Sequence, residues 1–367
     1  MNNKTILVPL PKSQNSFKRQ SNFELLRIVL MLLITANHFA GHTSFSFEDH
    51  ASLNYLFDLY MRFWGKGCVN AFVLISGYFL CNVKSIKCSK VLKLWAQMLF
   101  YSVLLNIFSI IIGKNDFSIT TTIFSLFPVV NQAWWFASNY FLLYLLCPFI
   151  NLIIFNVSKR QFSSLIIILS FFFSLVPTIL NIDHLSSNLL WFIYLYFIAA
   201  YIKKYDLLRN VKTSLMLFVS IVISLVSFFL EFILNNYITN GLIIDRLRDF
   251  YDMQHVLVLL FGITMFVAFK NLEIKHNKII NLISSATFGV YLIHENHSIR
   301  DWLWNDLIKG YQYQESKLFI MYSIIIIFLV FLICALIDLV RQNTVERLFY
   351  KQLQKFDEKI NSKYFSD

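Results

Sequence analysis

Apolar runs of helix-spanning length recur along this chain, and nothing else in the sequence narrows its fold as much. They cover roughly residues 24–41, 67–82, 91–112, 133–155, 162–181, 188–202, 214–234, 253–270, 279–297 and 317–340. A bilayer core about 30 Å thick is crossed by about 20 residues of α-helix. In hydrocarbon every backbone N–H and C=O must find its partner within the protein, so such runs become helices. Only 14% of the 367 residues are charged and 57% are hydrophobic, whereas a soluble domain is nearer a quarter charged. The expected fold is therefore all-α, a polytopic integral membrane protein of about ten transmembrane helices. A single membrane domain over 22–341 is expected between an N-terminal tail, 1–21, and a C-terminal tail, 342–367.

The loops set the orientation. One side carries 24 Lys and Arg with 8 Asp and Glu, and the other carries 8 and 13. Basic loops stay in the cytoplasm, so both termini are expected there. Residues 1–21 are polar and lack a small-residue cleavage site, as befits a cytoplasmic tail more than a signal peptide. The C-terminal tail spaces Arg341, Arg347, Lys351, Lys355, Lys359 and Lys363 like an amphipathic helix held on anionic lipid. The outer loops hold acids such as Asp58, Asp183, Asp245 and Asp249. The net charge of +11 is thus a topology signal, and no nucleic-acid partner is expected. Cys68, Cys81, Cys88, Cys147 and Cys334 follow no metal-ligand spacing, so neither a metal nor a disulfide framework is expected. The Phe, Ile, Asn and Lys bias fits an AT-rich genome, and a bacterial plasma membrane is the expected location.

The first run, NFELLRIVLMLLITANHFAGH, carries Arg27 and His38. Ionisable groups inside a span are costly and raise a functional question. Eleven residues at 100° each bring the two side chains to one face, roughly 16 Å apart along the axis. Glu24, Met31 and Ile34 complete that face. In the ninth run Ser284, Thr287, Tyr291, His294 and Ser298 form a polar stripe, with Glu295 and His297 beyond it. Helix–helix hydrogen bonding in lipid explains a Ser or Thr stripe well, but it explains His294 less well. Ser220, Ser224, Ser227 and Glu231 share a face of the seventh run, with Glu231 read as its outer end. The segment from Arg62 leads into the second run, Asn70 lies at its outer edge, and Trp134 and Trp135 stand at the start of the fourth. These tryptophans suit an interfacial belt, and they could equally stack on a sugar.

The Arg27–His38 spacing resembles the R-x10-H motif of the acyltransferase-3 family of membrane acyltransferases. CVNAFVLISGYFL is similar to that family's GVDLFFVLSGF stretch, WWFASNYFLLYLLCPF to its WFL…LYLLSPF stretch, and TFGVYLIH to its SYSLYLIH stretch. All four lie in the family's order and span nearly the whole chain. There are departures: Asn70 stands where the family often has Asp, Cys68 where it has Gly, and Lys90-Val-Leu-Lys93 where it has RxxR. Lysine lacks arginine's bidentate fork, so phosphate contact there becomes a point-charge interaction. The chain is similar to stand-alone members, without an esterase-like domain, that O-acetylate surface polysaccharides.

The resemblance implies acetyl-CoA as donor, with no permanently bound cofactor, and a surface or lipid-linked glycan as acceptor. Arg27, Lys90 and Lys93 would then meet the phosphates of CoA. A pantetheine arm is about as long as the 16 Å between Arg27 and His38. His38 would act as general base or carry the acetyl group covalently, while His294 would stabilise the oxyanion or orient His38. Arg62, Asn70, Trp134, Trp135, Tyr291 and Glu295 are the expected acceptor-side residues. The alternative is a polysaccharide-lipid transporter or flippase, for which repeats or Gly/Pro-broken helices are expected. A glycan polymerase would want larger outer loops with more arginines than Arg62, Arg246, Arg248 and Arg300.

Overall fold

The computed structural model describes residues 19–180, 186–237, 251–349 and 352. Every regular element among them is helical. They are α1 (Ser21–His42), α2 (Leu53–Leu80), α3 (Cys88–Ile111), α4 (Ile119–Ser125), α5 (Trp135–Asn156), α6 (Lys159–Ser170) and α7 (Val176–Leu180). There follow α8 (Asn188–Lys204), α9 (Thr213–Tyr237), α10 (Val256–Lys270), α11 (Lys278–Ser285), α12 (Thr287–His294) and α13 (Phe319–Arg341). A π-helical turn, Phe171–Leu175, joins α6 to α7, so that Lys159–Leu180 runs as one 22-residue rod.

Among the described residues seven helices are long and apolar enough to cross a membrane: α1, α2, α3, α5, α6 with α7, α9 and α13. The other three expected spans are shorter. One is α8, at 17 residues, and another is α10, at 15. The ninth, expected as one helix, is two helices of eight residues that break at Ala286. Lys351, Lys355, Lys359 and Lys363 of the C-terminal tail lie outside the described residues, as do residues 1–18, Asp183, Asp245, Arg246, Arg248 and Asp249.

Burial separates the centre from the rim. More than half of the spanning window of α1 and of α2 is buried, against 11% for Lys159–Leu180 and 17% for Thr213–Leu234. The apolar surfaces of those two rods face outward from the chain. Helix α1 touches α2, α10, α11, α12 and α13. It runs antiparallel to α2: Phe23 packs on Tyr78 and Phe79 at one end, and at the other the Asn37 amide donates to the Arg62 carbonyl at 2.7 Å. Gly65 lies directly against the Asn37 side chain, where any larger residue would collide. That contact corrects the sequence reading of the second span. Helix α2 begins at Leu53, under an Ser52 N-cap, and not near residue 67. Asp58, Arg62 and Lys66 therefore stand on a helix, not in a loop. Gly65 and Gly67 within it admit the neighbouring Asn37 and Phe261.

Basic residues at helix ends also hold the frame. The Lys203 ammonium donates to the Tyr78 carbonyl and that of Lys204 to the Ile154 carbonyl, both at 2.6 Å. These carbonyls belong to last turns, whose acceptors lack partners within their own helices. At the far end of α1, the loop carrying Trp302–Ile308 closes over its C-terminus, where Asn305 donates to the His42 carbonyl and accepts from the Ser44 amide.

Candidate active site

The predicted face of α1 opens onto a cavity of about 550 Å³. Arg27, Met31, Ile34 and His38 all line it, so the eleven-residue spacing does set both polar groups on one wall. Arg19, Lys90 and Lys93 join Arg27 to make a cationic end. The Arg27 guanidinium pairs with Glu24 at 2.9 Å, and the other Glu24 oxygen accepts from the Ser284 hydroxyl at 2.5 Å. Arg27 is thus held toward the cavity, not turned to a lipid phosphate. Arg19 donates to the Asn281 carbonyl, and Lys93 pairs with Glu346.

At the other end the floor is built around His38. Its Nδ1 lies 2.8 Å from His294 Nε2 and 3.2 Å from Glu295 Oε2. His294 Nδ1 is 2.6 Å from the Val290 carbonyl, which can only accept. With both rings neutral, Nδ1 of His294 therefore carries the proton and its Nε2 accepts. The proton on His38 must then sit on Nδ1, where Glu295 also accepts. Glu295 is held in turn by His42 Nε2 at 2.9 Å and Arg300 at 3.1 Å. These partners occupy Nδ1 of His38 and leave Nε2, with its lone pair, as the other nitrogen of a side chain that lines the cavity.

The expected site residues divide into two groups. Arg27, His38, Lys90, Lys93, Trp135 and Tyr291 line the cavity. His294, Glu295, Asn70, Trp134 and Arg62 do not. His294 is fully buried behind His38, in a position to orient the ring and not to meet an oxyanion in the cavity. Glu295 stands beside it. Asn70 is buried in mid-helix, donating to the Met253 carbonyl and accepting from the Trp191 indole at 2.9 Å. It ties α2 to α8 and to the residues before α10, which is a packing role. Trp134 is buried away from the cavity, whereas Trp135 on its wall carries the Lys66 ammonium 4.4 Å over its ring. Arg62 pairs with Asp58 at 2.9 Å, one turn of α2 beyond the cavity.

Three residues escaped the sequence reading. Lys66 lines the cavity beside Gly65, at the level of Asn37 and so close to His38. It lay hidden because its segment read as a loop. Arg19 was absorbed into the tail charge. His42, four residues after His38, is one turn along the same helix, and that spacing was a usable signal. His38 Nδ1, His42 Nε2 and Glu295 Oε2 lie within 4.8 Å of one another, as metal ligands would. Hydrogen bonds already account for these contacts, and the Arg300 charge on Glu295 opposes a dication there.

A mostly buried central helix, a cation-rimmed cavity and a histidine held by His294 and Glu295 thus meet inside one membrane-type helical bundle. The acyltransferase-3 family, described as an acyltransferase domain, matches residues 20–339. The chain belongs to that family and is a multi-pass membrane acyltransferase. Comparison with curated proteins and with solved structures gives no match.

Proposed function

We propose that this acyltransferase moves an acetyl group from acetyl-CoA to a hydroxyl of a surface or lipid-linked polysaccharide, across a ten-span domain with both termini in the cytoplasm. The observation that carries the reading is one continuous cavity with four cations at one end and His38 at the other. CoA is a polyanion on a flexible arm. Its phosphates suit Arg19, Arg27, Lys90 and Lys93, and its thioester would reach His38 roughly 16 Å deeper. The charge on the loops supports placing the cationic end inside.

In the reaction, the acceptor hydroxyl gives its proton to His38 Nε2 as its oxygen attacks the thioester carbonyl carbon. The resulting oxyanion meets the Lys66 ammonium, which lines the cavity from α2. As the carbon–sulfur bond breaks, Nε2 returns the proton to the departing thiolate. Glu295 and His294 keep the ring in the required tautomer, in the manner of a carboxylate behind a catalytic histidine. A covalent acetyl-histidine would form at the same Nε2 and leave a trace after acid quench. Membranes containing the protein, fed acetyl-CoA labelled in its acetyl group together with ester-free surface polysaccharide, should yield labelled polysaccharide. Without transfer to the glycan the assignment fails.

The broken α11–α12 rod is a feature that the transporter reading expects. Deleting the gene separates the two: loss of O-acetyl groups with normal glycan export and length supports transfer, and the reverse supports transport.

A further inference from the structure

We infer that a second, separate pocket at the far end of α2 is the binding subsite for a sugar residue of the acceptor. It has a volume of about 440 Å³, within the range that holds small ligands. Asp58, Arg62, Glu231, His50, Tyr55 and Tyr251 are among its walls. The pocket lies past the C-terminal end of α1, at the end of the molecule opposite Arg27.

Its chemistry is that of a polyhydroxylated ligand. His50 stacks on Tyr55 with centroids 4.7 Å apart and planes 15° apart, giving a flat aromatic platform suited to the C–H face of a pyranose. Carboxylates accept from sugar hydroxyls. Asp58 is the decisive group: it is 2% exposed, and only its Oδ2 is engaged, by Arg62 Nε. Its Oδ1 has no hydrogen-bond partner among the described residues. A buried carboxylate oxygen is costly to leave without a hydrogen bond, and since Asp58 lines the pocket, a side-chain adjustment there lets a ligand hydroxyl supply what it lacks. A surface ion pair would need no such burial.

Placement joins this pocket to the chemistry. Asp58, Arg62 and Lys66 follow one another at four-residue intervals on one face of α2, the first two on this pocket and the third on the cavity. The Arg62 carbonyl accepts from Asn37, the neighbour of His38. A glycan held on Asp58 thus has its next residue about one helical turn from the general base. The assignment rests on the acetyl-transfer reading only for the identity of the sugar as acceptor.

The test uses the full-length protein in lipid nanodiscs and, as probe, the host's surface polysaccharide stripped of esters by mild alkali. Saturation-transfer NMR without acetyl-CoA should show contact with sugar protons. Asp58→Asn should weaken that binding about tenfold or more, and His50→Ala, at an exposed position that disturbs no ion pair, about threefold. The apparent KM for glycan should rise in step while that for acetyl-CoA stays put. Unchanged glycan affinity in both variants, or no glycan contact by the intact protein, overturns the subsite. If Asp58→Asn fails to fold, His50→Ala decides alone. Binding that depends on Asp58 without any acetyl transfer would leave the subsite standing and sink the reaction. Transfer with an unmoved glycan KM in both variants does the opposite.

Discussion

The two ends of α2 make unlike demands on a ligand. Toward its C-terminus it faces a cavity rimmed by Arg19, Arg27, Lys90 and Lys93, suited to phosphates. Near its N-terminus it faces a pocket with two carboxylates, one arginine and stacked rings, suited to a neutral polyol. Between them one turn of α2 separates Arg62, on the pocket, from Lys66, on the cavity. On the proposed reading, this single buried helix keeps two chemically opposite ligands apart and sets their reactive ends near one histidine. The same contrast explains why α2 is more buried than any rod at the rim: it has protein to meet along its whole length.

The sharpest way to break this contrast is at the point where the two ends meet. His38→Ala should lower acetyl transfer at least about a hundredfold while the protein inserts normally. Transfer close to normal in membranes matched for protein content would take His38 out of the mechanism. Glu295→Gln keeps the shape but removes the acceptor charge at Nδ1. It should lower kcat about tenfold to a hundredfold and leave both KM values alone. A change confined to the glycan KM would instead make Glu295 an acceptor contact. Arg27→Ala should raise the KM for acetyl-CoA about tenfold with little change for glycan. Arg27→Lys should recover only part of that loss, because the fork is gone. An unmoved acetyl-CoA KM would detach Arg27 from the donor. The smallest effect concerns the partition itself. Gly65→Ala places a methyl group against Asn37, and overpacking of that kind costs about 1–3 kcal/mol. Thermal unfolding in detergent should show the loss, and adding Asn37→Ala should relieve it.

Part of this site is legible in the sequence. The Arg27–His38 face follows from helix geometry alone, because residues eleven apart on one helix have no other choice. The segment around Lys66 was misread. The expected span begins at residue 67, whereas the helix begins at Leu53, and the approach of Asn37 to Gly65 and of Phe261 to Gly67 shows why these are glycines within it. Asn70 looked like a polar edge residue and is a buried tie between helices, since its partners Met253 and Trp191 are more than a hundred residues away in sequence. The ninth span read as one helix because its stripe keeps a helical period. The break at Ala286 does not disturb that period enough to be seen.

By itself the sequence determined that the chain is helical and membrane-embedded, which face of α1 is polar, and which loops are basic. Each of these depends on neighbours within a turn or two, or on transfer from water to hydrocarbon, and both are written in local order and composition. The tertiary structure decided which nitrogen of His38 stays open, since His294 and Glu295 lie more than 250 residues away along the chain. It also decided that Lys66 lines the cavity and that Asp58 Oδ1 is buried with no hydrogen-bond partner among the described residues. Proton placement and pocket walls depend on distances across the fold, and no period in the sequence encodes those.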